Sequence, residues 1–117
     1  MTLREQIQQV IDDEPVAVFI KGMADRPACG NSMRALQALV KAGAPITAVD
    51  VLPDPQIRQE LTALSDWPTI PQVFVKGELI GGADITEELS ASGDLARKLD
   101  EALGAEREQV VKTVAVG

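Results

Sequence analysis

Apolar side chains in the first dozen residues recur every three or four positions, a spacing typical of one face of a helix. Thr2 and Glu5 have the types and the spacing of a capping box, so we predict a helix over residues 2–12. After Asp13-Glu14-Pro15 the chain enters the apolar run 16–20, which is the pattern of a buried central strand. The chain therefore begins with a helix followed by a strand.

The alternation of helix and strand patterns continues to residue 52. Apolar positions from Met33 to Val40 share one helical face, and Gly43 is a suitable C-terminal stop. Residues 46–52 are apolar and rich in β-branched side chains, which indicates a second strand. Because these two strands flank a helix, we expect them to be parallel and joined by a right-handed crossover.

The middle of the chain predicts one more helix and a hairpin. Asp54-Pro55 has the residue types of an N-cap and a first helical position, so a third helix begins there. Two prolines within residues 67–71 exclude a helix in that segment. Residues 72–76 and 79–80 then predict two short strands joined by a turn at Gly77-Glu78.

Helical patterns return after the hairpin. Asp84 and Glu87 have the spacing of a helix cap and its third residue, and an amphipathic helix follows the interruption at Ser90–Gly93. The pattern of the last segment is mixed, so we expect one domain over residues 1–104 and a C-terminal tail over 105–117. The order α-β-α-β-α-β-β-α-α predicts an α/β fold, a mixed four-stranded sheet with helices on both faces.

Composition narrows the possible functions. The net charge of −7 over 117 residues argues against binding to nucleic acid or to acidic membranes. No apolar run approaches the roughly 20 residues of a membrane-spanning helix, and the acidic N-terminal segment differs from a signal peptide. A single cysteine excludes an internal disulfide, which agrees with a reducing compartment. We therefore expect a cytoplasmic protein without a membrane partner.

Cys29, the only cysteine, lies between a predicted strand and a predicted helix. Helix-start amides and the helix dipole favour a thiolate there, and Lys21 and Arg26 are near in sequence and could add positive potential. The plainer alternative is that the cysteine is a small buried hydrophobic residue. With one cysteine and no histidine, the chain alone cannot form a Cys-His pair or a zinc or iron–sulfur site. Any metal role would need ligands from another chain or from a small thiol.

Several motifs resemble those of the monothiol glutaredoxins, which have the thioredoxin fold, in their order and spacing over about residues 3–104. The motifs are Lys21-Gly22, Pro27-Ala28-Cys29-Gly30-Asn31-Ser32, Trp67-Pro68-Thr69-Ile70-Pro71 and Gly81-Gly82-Ala83-Asp84. The usual cysteine motif of that family is Cys-Gly-Phe-Ser, and here Asn31 stands in the place of the phenylalanine. Ser32 stands where dithiol relatives have a second cysteine, which excludes a Cys-x-x-Cys cycle.

The resemblance implies a glutathione site beside Cys29, which is the expected catalytic residue and metal ligand. Glutathione carries two carboxylates and one amine, and cations, a helix N-terminus and an acidic residue suit those groups. The resemblance gives Lys21 and Arg58 to a carboxylate, Ile70 (ahead of a cis Pro71) to the cysteinyl backbone, and Ala83 and Asp84 to the γ-glutamyl end.

Two functions from different classes follow from the resemblance. In the first, Cys29 of two chains and two glutathione thiolates supply the four sulfurs of a 2Fe–2S cluster in a homodimer. The family adds a possible BolA-type partner and delivery to apo iron–sulfur proteins. In the alternative, the protein is at most a weak oxidoreductase, in which Cys29 attacks protein–glutathione mixed disulfides and external glutathione resolves them. A non-redox interaction module is a third, less favoured reading, because the thiol lies where a thiolate is stabilised.

Overall fold

The computed structural model describes all of residues 1–117 and contains five helices and seven strands. The helices are α1 (Leu3–Asp13), α2 (Gly30–Lys41), α3 (Pro55–Ser65), α4 (Ala83–Ser92) and α5 (Asp94–Leu103). The strands are β1 (Val16–Ile20), β2 (Gly22–Met23), β3 (Arg26–Pro27), β4 (Ile46–Asp50), β5 (Gln72–Val75), β6 (Glu78–Gly81) and β7 (Val111–Val114). Five strands form one mixed sheet in the order β6-β5-β1-β4-β7, while β2 and β3 pair as a separate ribbon.

The predicted α/β architecture is confirmed. Strand β1 pairs in parallel with β4, as expected for a helical crossover, and β5 pairs antiparallel with β6, as expected for a hairpin. Strand β1 also pairs antiparallel with β5. Alternate residues of β1 point to opposite faces of the sheet, and each face carries its own hydrophobic core. Val18 belongs to the core that includes Leu39 of α2 and Leu99 of α5. Phe19 belongs to the core that includes Ile7 of α1 and residues of α3.

Helix α1 shows how closely local sequence can determine an element. Thr2 is the N-cap, and its hydroxyl accepts a hydrogen bond from the Glu5 amide at 3.1 Å. The Glu5 carboxylate accepts from the Thr2 amide at 2.8 Å, which completes the predicted capping box. Asp54 and Pro55 likewise take the predicted N-cap and first helical positions of α3. No helix of the protein is both long enough and apolar enough to span a membrane.

The sheet has five strands rather than the predicted four, because the C-terminal segment adds β7 at its edge. Strand β7 runs parallel to β4, with Val111 opposite Ile46. The Arg107 side chain anchors the connection: its guanidinium donates to the carbonyls of Ala42, Gly43 and Gly104 at 2.8–3.0 Å. The short strand is exposed and its partner is distant in sequence, so no local pattern predicts it.

The turn of the β5–β6 hairpin is Lys76-Gly77, one residue earlier than predicted. Lys76 has a φ of 49° and Gly77 a φ of 83°. Two-residue hairpin turns of this hand require positive φ at both central positions, and glycine takes that conformation without strain. The turn therefore centres on the pair that has glycine second, and Glu78 is the first residue of β6.

The start of α4 corrects another prediction. The N-cap is Gly82, which has no side chain to cap the helix, and the first helical residue is Ala83. Asp84 therefore lies within the first turn instead of capping the helix. Acidic side chains are also favourable in a first turn, so the sequence signal is the same for both positions. The Asp84 carboxylate is consequently free to bond outside its own helix.

Candidate functional site

Cys29 is the N-cap of α2, at the position that the sequence predicts for it. Its backbone is extended, and its carbonyl accepts a hydrogen bond from the Met33 amide at 3.1 Å. The Cys29 Sγ accepts a hydrogen bond from the Ser32 amide at 3.3 Å. A sulfur atom thus occupies the place where serine or aspartate oxygens commonly cap helices, directed at the positive end of the helix dipole.

Ser32 provides a second contact to the sulfur. Its Oγ lies 3.0 Å from the Cys29 Sγ and accepts a hydrogen bond from the Lys21 amide at 3.1 Å. The Ser32 side chain is fully buried, so the surroundings restrict its hydroxyl. Because the Lys21 amide uses the oxygen as an acceptor, the hydroxyl proton is available to donate to a thiolate. The buried serine therefore connects the end of β1 to the reactive sulfur.

The pKa of Cys29 lies below the ordinary value for a cysteine thiol. Partial burial, the largest single effect, acts to raise the pKa, and the hydrogen bonds from the Ser32 hydroxyl and amide are the largest effects that lower it. The Lys21 charge and the Asn31 amide lower the pKa further. Arg26, the other cation expected to help, is exposed on β3 and makes no such contribution. The thiolate is stabilised mainly by hydrogen bonds at a helix start, as the position in sequence indicated.

The sheet brings the Trp67–Pro71 segment to the same edge as Lys21. Strand β1 ends one residue before Lys21, and the register places Phe19 opposite Gln72, the first residue of β5. The Ile70–Pro71 peptide bond is cis, and Ile70 is buried. The two segments therefore leave the sheet side by side, next to the loop that carries the cysteine.

Arg58 and the start of α4 contact this loop from two sides. The Arg58 guanidinium donates to the Pro68 carbonyl at 3.3 Å. This exposed side chain of α3 therefore lies along the proline loop, which is the segment of residues 67–71. On the other side, a Cβ atom at Gly82 would lie 3.3 Å from the Pro71 carbonyl oxygen and 3.5 Å from the Trp67 Nε1. Glycine permits this close approach, which places the first turn of α4 beside the loop.

A hydrogen-bond network that the sequence does not predict links α2, called here the cysteine helix because Cys29 is its N-cap, to α4. The Arg34 Nη2 donates to the Asp84 carboxylate at 2.7 Å and also to the Glu87 carboxylate. The Arg34 Nη1 donates to the Asn31 side-chain carbonyl at 2.9 Å. Asn31 and Arg34, like Asp84 and Glu87, are three residues apart on a helix. That spacing indicates only that the two residues of each pair share a helix face. Which two helices pack together depends on the tertiary structure, and the sequence pattern does not indicate it.

The contacts link four of the residues expected at the site to neighbouring segments. Lys21 and Cys29 meet through Ser32, Arg34 joins the cysteine helix to Asp84, Gly82 adjoins Pro71, and Arg58 meets Pro68. Chemically, the arrangement offers one activated thiol, the Lys21 charge acting on it and the first-turn amides of α4. A helix leaves those amides without internal partners, so they suit an anionic group.

Sequence comparison identifies the family to which the chain belongs. The model of the glutaredoxin family matches residues 16–80, which include the cysteine loop, the proline loop and all but the last residue of the hairpin. The chain belongs to the glutaredoxin family. This glutaredoxin has serine in place of a second motif cysteine, and the expected resemblance to the monothiol members is confirmed by its relatives.

Two relatives illustrate the similarity. The glutaredoxin is 44% identical over 100 residues to Monothiol glutaredoxin-S11 of Oryza sativa subsp. japonica, covering 86% of this chain and 20% of that protein. It is 42% identical over 97 residues to Glutaredoxin 4 of Haemophilus ducreyi, covering 83% of this chain and 91% of that protein. The chain thus spans one fifth of the rice protein but most of the bacterial one.

Solved structures give the same fold. The solution structure of reduced poplar apo GrxS14 has a TM-score of 0.77 and 37% identity, covering 87% of this chain and 94% of that one. The crystal structure of a buckwheat glutaredoxin–glutathione complex has a TM-score of 0.76 and 25% identity, with coverages of 89% and 93%. The thioredoxin-like fold expected from the resemblance is therefore confirmed.

Proposed function

We propose that this monothiol glutaredoxin binds glutathione beside Cys29 and holds a 2Fe–2S cluster between two subunits, for delivery to iron–sulfur proteins. The observation that carries the proposal is the placement of the only thiol at the N-cap of α2, hydrogen-bonded to Ser32 and with a lowered pKa. Thiolates are the usual ligands of iron–sulfur clusters, so this sulfur suits the role.

The proposed glutathione site consists of the residues that surround the sulfur. Lys21 and Arg58 would bind a carboxylate, and the Ile70 backbone would bond the cysteinyl part of the tripeptide. Ala83 and Asp84 would hold the γ-glutamyl end, with the first-turn amides of α4 for its carboxylate and an acidic side chain for its amine. The glutathione complex of the buckwheat relative supports this assignment, because the two chains share the fold.

Ligand number supports the bridged cluster. A 2Fe–2S cluster is normally held by four ligands, and one chain with one cysteine and no histidine supplies one sulfur. Carboxylates are harder ligands and poor substitutes for thiolates on such a cluster. Cys29 fits the group as one ligand, and two chains with two glutathione molecules would complete the set. The cluster would supply electron transfer or be passed on as cargo.

The rival function is reduction of protein–glutathione mixed disulfides. The Cys29 thiolate would attack the sulfur of the bound glutathione, the protein thiol would leave with the electron pair, and a second glutathione would release the first as its disulfide. The lowered pKa of Cys29 favours this chemistry as well. Both functions use the same site, so the presence or absence of bound iron distinguishes them.

Anaerobic purification tests the proposal against its rival. The cluster-binding protein should show a visible chromophore with iron and sulfide in near-equal amounts, and Cys29→Ser should be colourless. A colourless wild-type protein that cannot be reconstituted, yet reduces a glutathionylated substrate at a rate typical of dithiol glutaredoxins, would contradict the cluster function and favour the rival.

Partners and location complete the proposal. The partners would be glutathione, a second copy of the chain, a BolA-type protein and apo iron–sulfur proteins. A cytoplasmic location is proposed because a free thiol of lowered pKa remains reduced in a reducing compartment.

A further inference from the structure

Arg34, a residue of the cysteine helix α2, contacts the residue proposed to hold the ligand's amine. One guanidinium nitrogen, Nη2, donates to both the Asp84 and the Glu87 carboxylates, and Nη1 donates to the Asn31 side chain. Three of the five guanidinium N–H groups are therefore used. The two carboxylates share one cation, which leaves the cluster of Arg34, Asp84 and Glu87 with a net charge of −1.

The ion pair affects the carboxylate that the ligand would need. Oδ1 of Asp84 is bonded to Arg34 at 2.7 Å, while the Asp84 side chain as a whole is 83% exposed. A ligand can therefore reach Asp84 from solvent, but its ammonium group would approach a carboxylate that already has a cation beside it. Like charges a few ångström apart repel, and a shared acceptor binds each donor less strongly.

The structure also provides a place for Arg34 when Asp84 is taken. Glu87 lies one helical turn along α4 and already accepts from the same nitrogen, and Asn31 holds the other end of the guanidinium. Arg34 can thus give up Asp84 and keep two of its three partners. Asn31, which occupies the position of the phenylalanine in the usual family motif, would act on the ligand through this contact.

We propose, on the basis of the proposed glutathione site, that Arg34 is a specificity-determining residue that competes with the α-ammonium of the γ-glutamyl group for Asp84. Arg34 thereby weakens glutathione binding in this chain, and Glu87 limits the effect by drawing the guanidinium away. The opposite role, in which Arg34 binds the ligand's carboxylate directly, predicts an effect of opposite sign. The sign is what the experiment measures.

Calorimetric titration of reduced glutathione into the reduced protein provides the test. Arg34→Gln should bind glutathione about two- to fivefold more tightly, the range expected for an exposed ion pair. Glu87→Gln should bind less tightly, because Arg34 then has Asp84 as its only carboxylate. Arg97→Gln is the matched control: it removes the same charge from an exposed pair with Asp94 in α5 and should leave the affinity unchanged.

A second ligand makes the test specific to the ammonium. In glutaryl-cysteinyl-glycine the γ-glutamyl group is replaced by a glutaryl group, which lacks the α-amino group and keeps the carboxylate. Arg34→Gln should leave the affinity for this ligand unchanged. Weaker or unchanged glutathione binding by Arg34→Gln, or an equal gain for both ligands, would overturn the competition while leaving the glutathione site intact. Failure of the wild-type protein and every variant to bind glutathione would reject the proposed site itself.

Discussion

At the residue scale, the reactivity of Cys29 depends on one buried hydroxyl. Ser32 contacts the sulfur with both its Oγ and its amide. The Lys21 amide donates a hydrogen bond to the same Oγ and so holds the hydroxyl in place. The family motif draws attention to this serine only as the replacement for a second cysteine. In this structure its hydroxyl is the largest of the contributions that lower the pKa of the thiol.

We therefore predict that Ser32→Ala raises the pKa of Cys29. Loss of the hydroxyl removes a hydrogen bond that stabilises the thiolate, so the pH at which alkylation by iodoacetamide becomes fast should move upward. Ser90→Ala is the matched control, because the Ser90 hydroxyl also bonds α2, at the Ala38 carbonyl. An unchanged alkylation profile in Ser32→Ala, or a wild-type pKa at or above about 8.5, the value for an ordinary cysteine, would contradict this explanation.

The same pKa has a consequence for folding. Because the folded-state pKa of Cys29 is lowered, the folded protein binds its proton less strongly than the unfolded chain does. The resulting stabilisation is fully present above the unfolded pKa and is lost as the pH falls through the folded pKa. The Ser32→Ala variant should show a smaller rise in unfolding free energy over that pH range.

Arg58 provides a second prediction at this scale. Its guanidinium is exposed and bonded only to the Pro68 carbonyl, which leaves donors free for a ligand carboxylate. Arg58→Ala should weaken glutathione binding by about 1.5–3 kcal/mol, the value of a charge-assisted hydrogen bond. Arg4→Ala is the control in titration calorimetry, since Arg4 contacts the same helix through Glu60. Unchanged affinity in a folded Arg58→Ala protein would remove this residue from the site.

At the scale of elements, Arg107 joins the C-terminal strand to the rest of the domain. Its side chain is only 11% exposed and donates to three backbone carbonyls and to the Asp100 carboxylate. Two of those carbonyls, of Ala42 and Gly43, directly follow α2, and a helix end leaves acceptors without partners. The contact therefore caps the cysteine helix and positions β7 together.

Arg107→Ala should consequently lower the free energy of unfolding by roughly 2–3 kcal/mol, because it leaves partly buried carbonyls without donors. Urea denaturation followed by circular dichroism measures the change. The exposed pair of Arg97 and Asp94 supplies the comparison, and Arg97→Ala should cost less than about 1 kcal/mol. Equal effects of the two substitutions would show that the Arg107 contacts do not anchor the tail.

The elements also show what a sequence pattern determines. Helix α1 and strand β1 follow from hydrophobic spacing and a capping box, because every signal lies within a few residues of the element it specifies. The start of α4 was misplaced because an acidic residue suits both a cap and a first turn. Strand β7 was not predicted because it is exposed and its hydrogen-bond partner, β4, lies about 65 residues earlier.

The candidate site likewise contains some features that the local sequence predicts and others that depend on tertiary packing. Cys29 and the proline loop were predictable, since a cysteine at a helix start and a pair of prolines are local features. The contacts of Asn31 and Arg34 with α4 depend on how two helices pack, and no local pattern contains that information. A charge three residues from another charge predicts only that they share a face.

At the scale of the whole molecule, the sheet order gathers three distant segments around one sulfur. The end of β1, the start of β5 and the start of α4 meet at one edge, and α3 contributes Arg58 from the side. A ligand bound at the proposed site would contact both the cysteine helix and the proline loop. One chain still offers a single sulfur, which makes the proposed cluster depend on a second chain and on glutathione.

Assembly, glutathione and cluster formation should therefore be linked, each favouring the others. The most direct measurement is anaerobic reconstitution with iron and sulfide, with and without glutathione, followed by size-exclusion chromatography with visible absorbance. We predict a coloured dimer only when glutathione is present, and a colourless monomer for Cys29→Ser in either condition. A coloured monomer, or a cluster that forms equally well without any small thiol, would contradict the proposal that two chains and two glutathione molecules hold it.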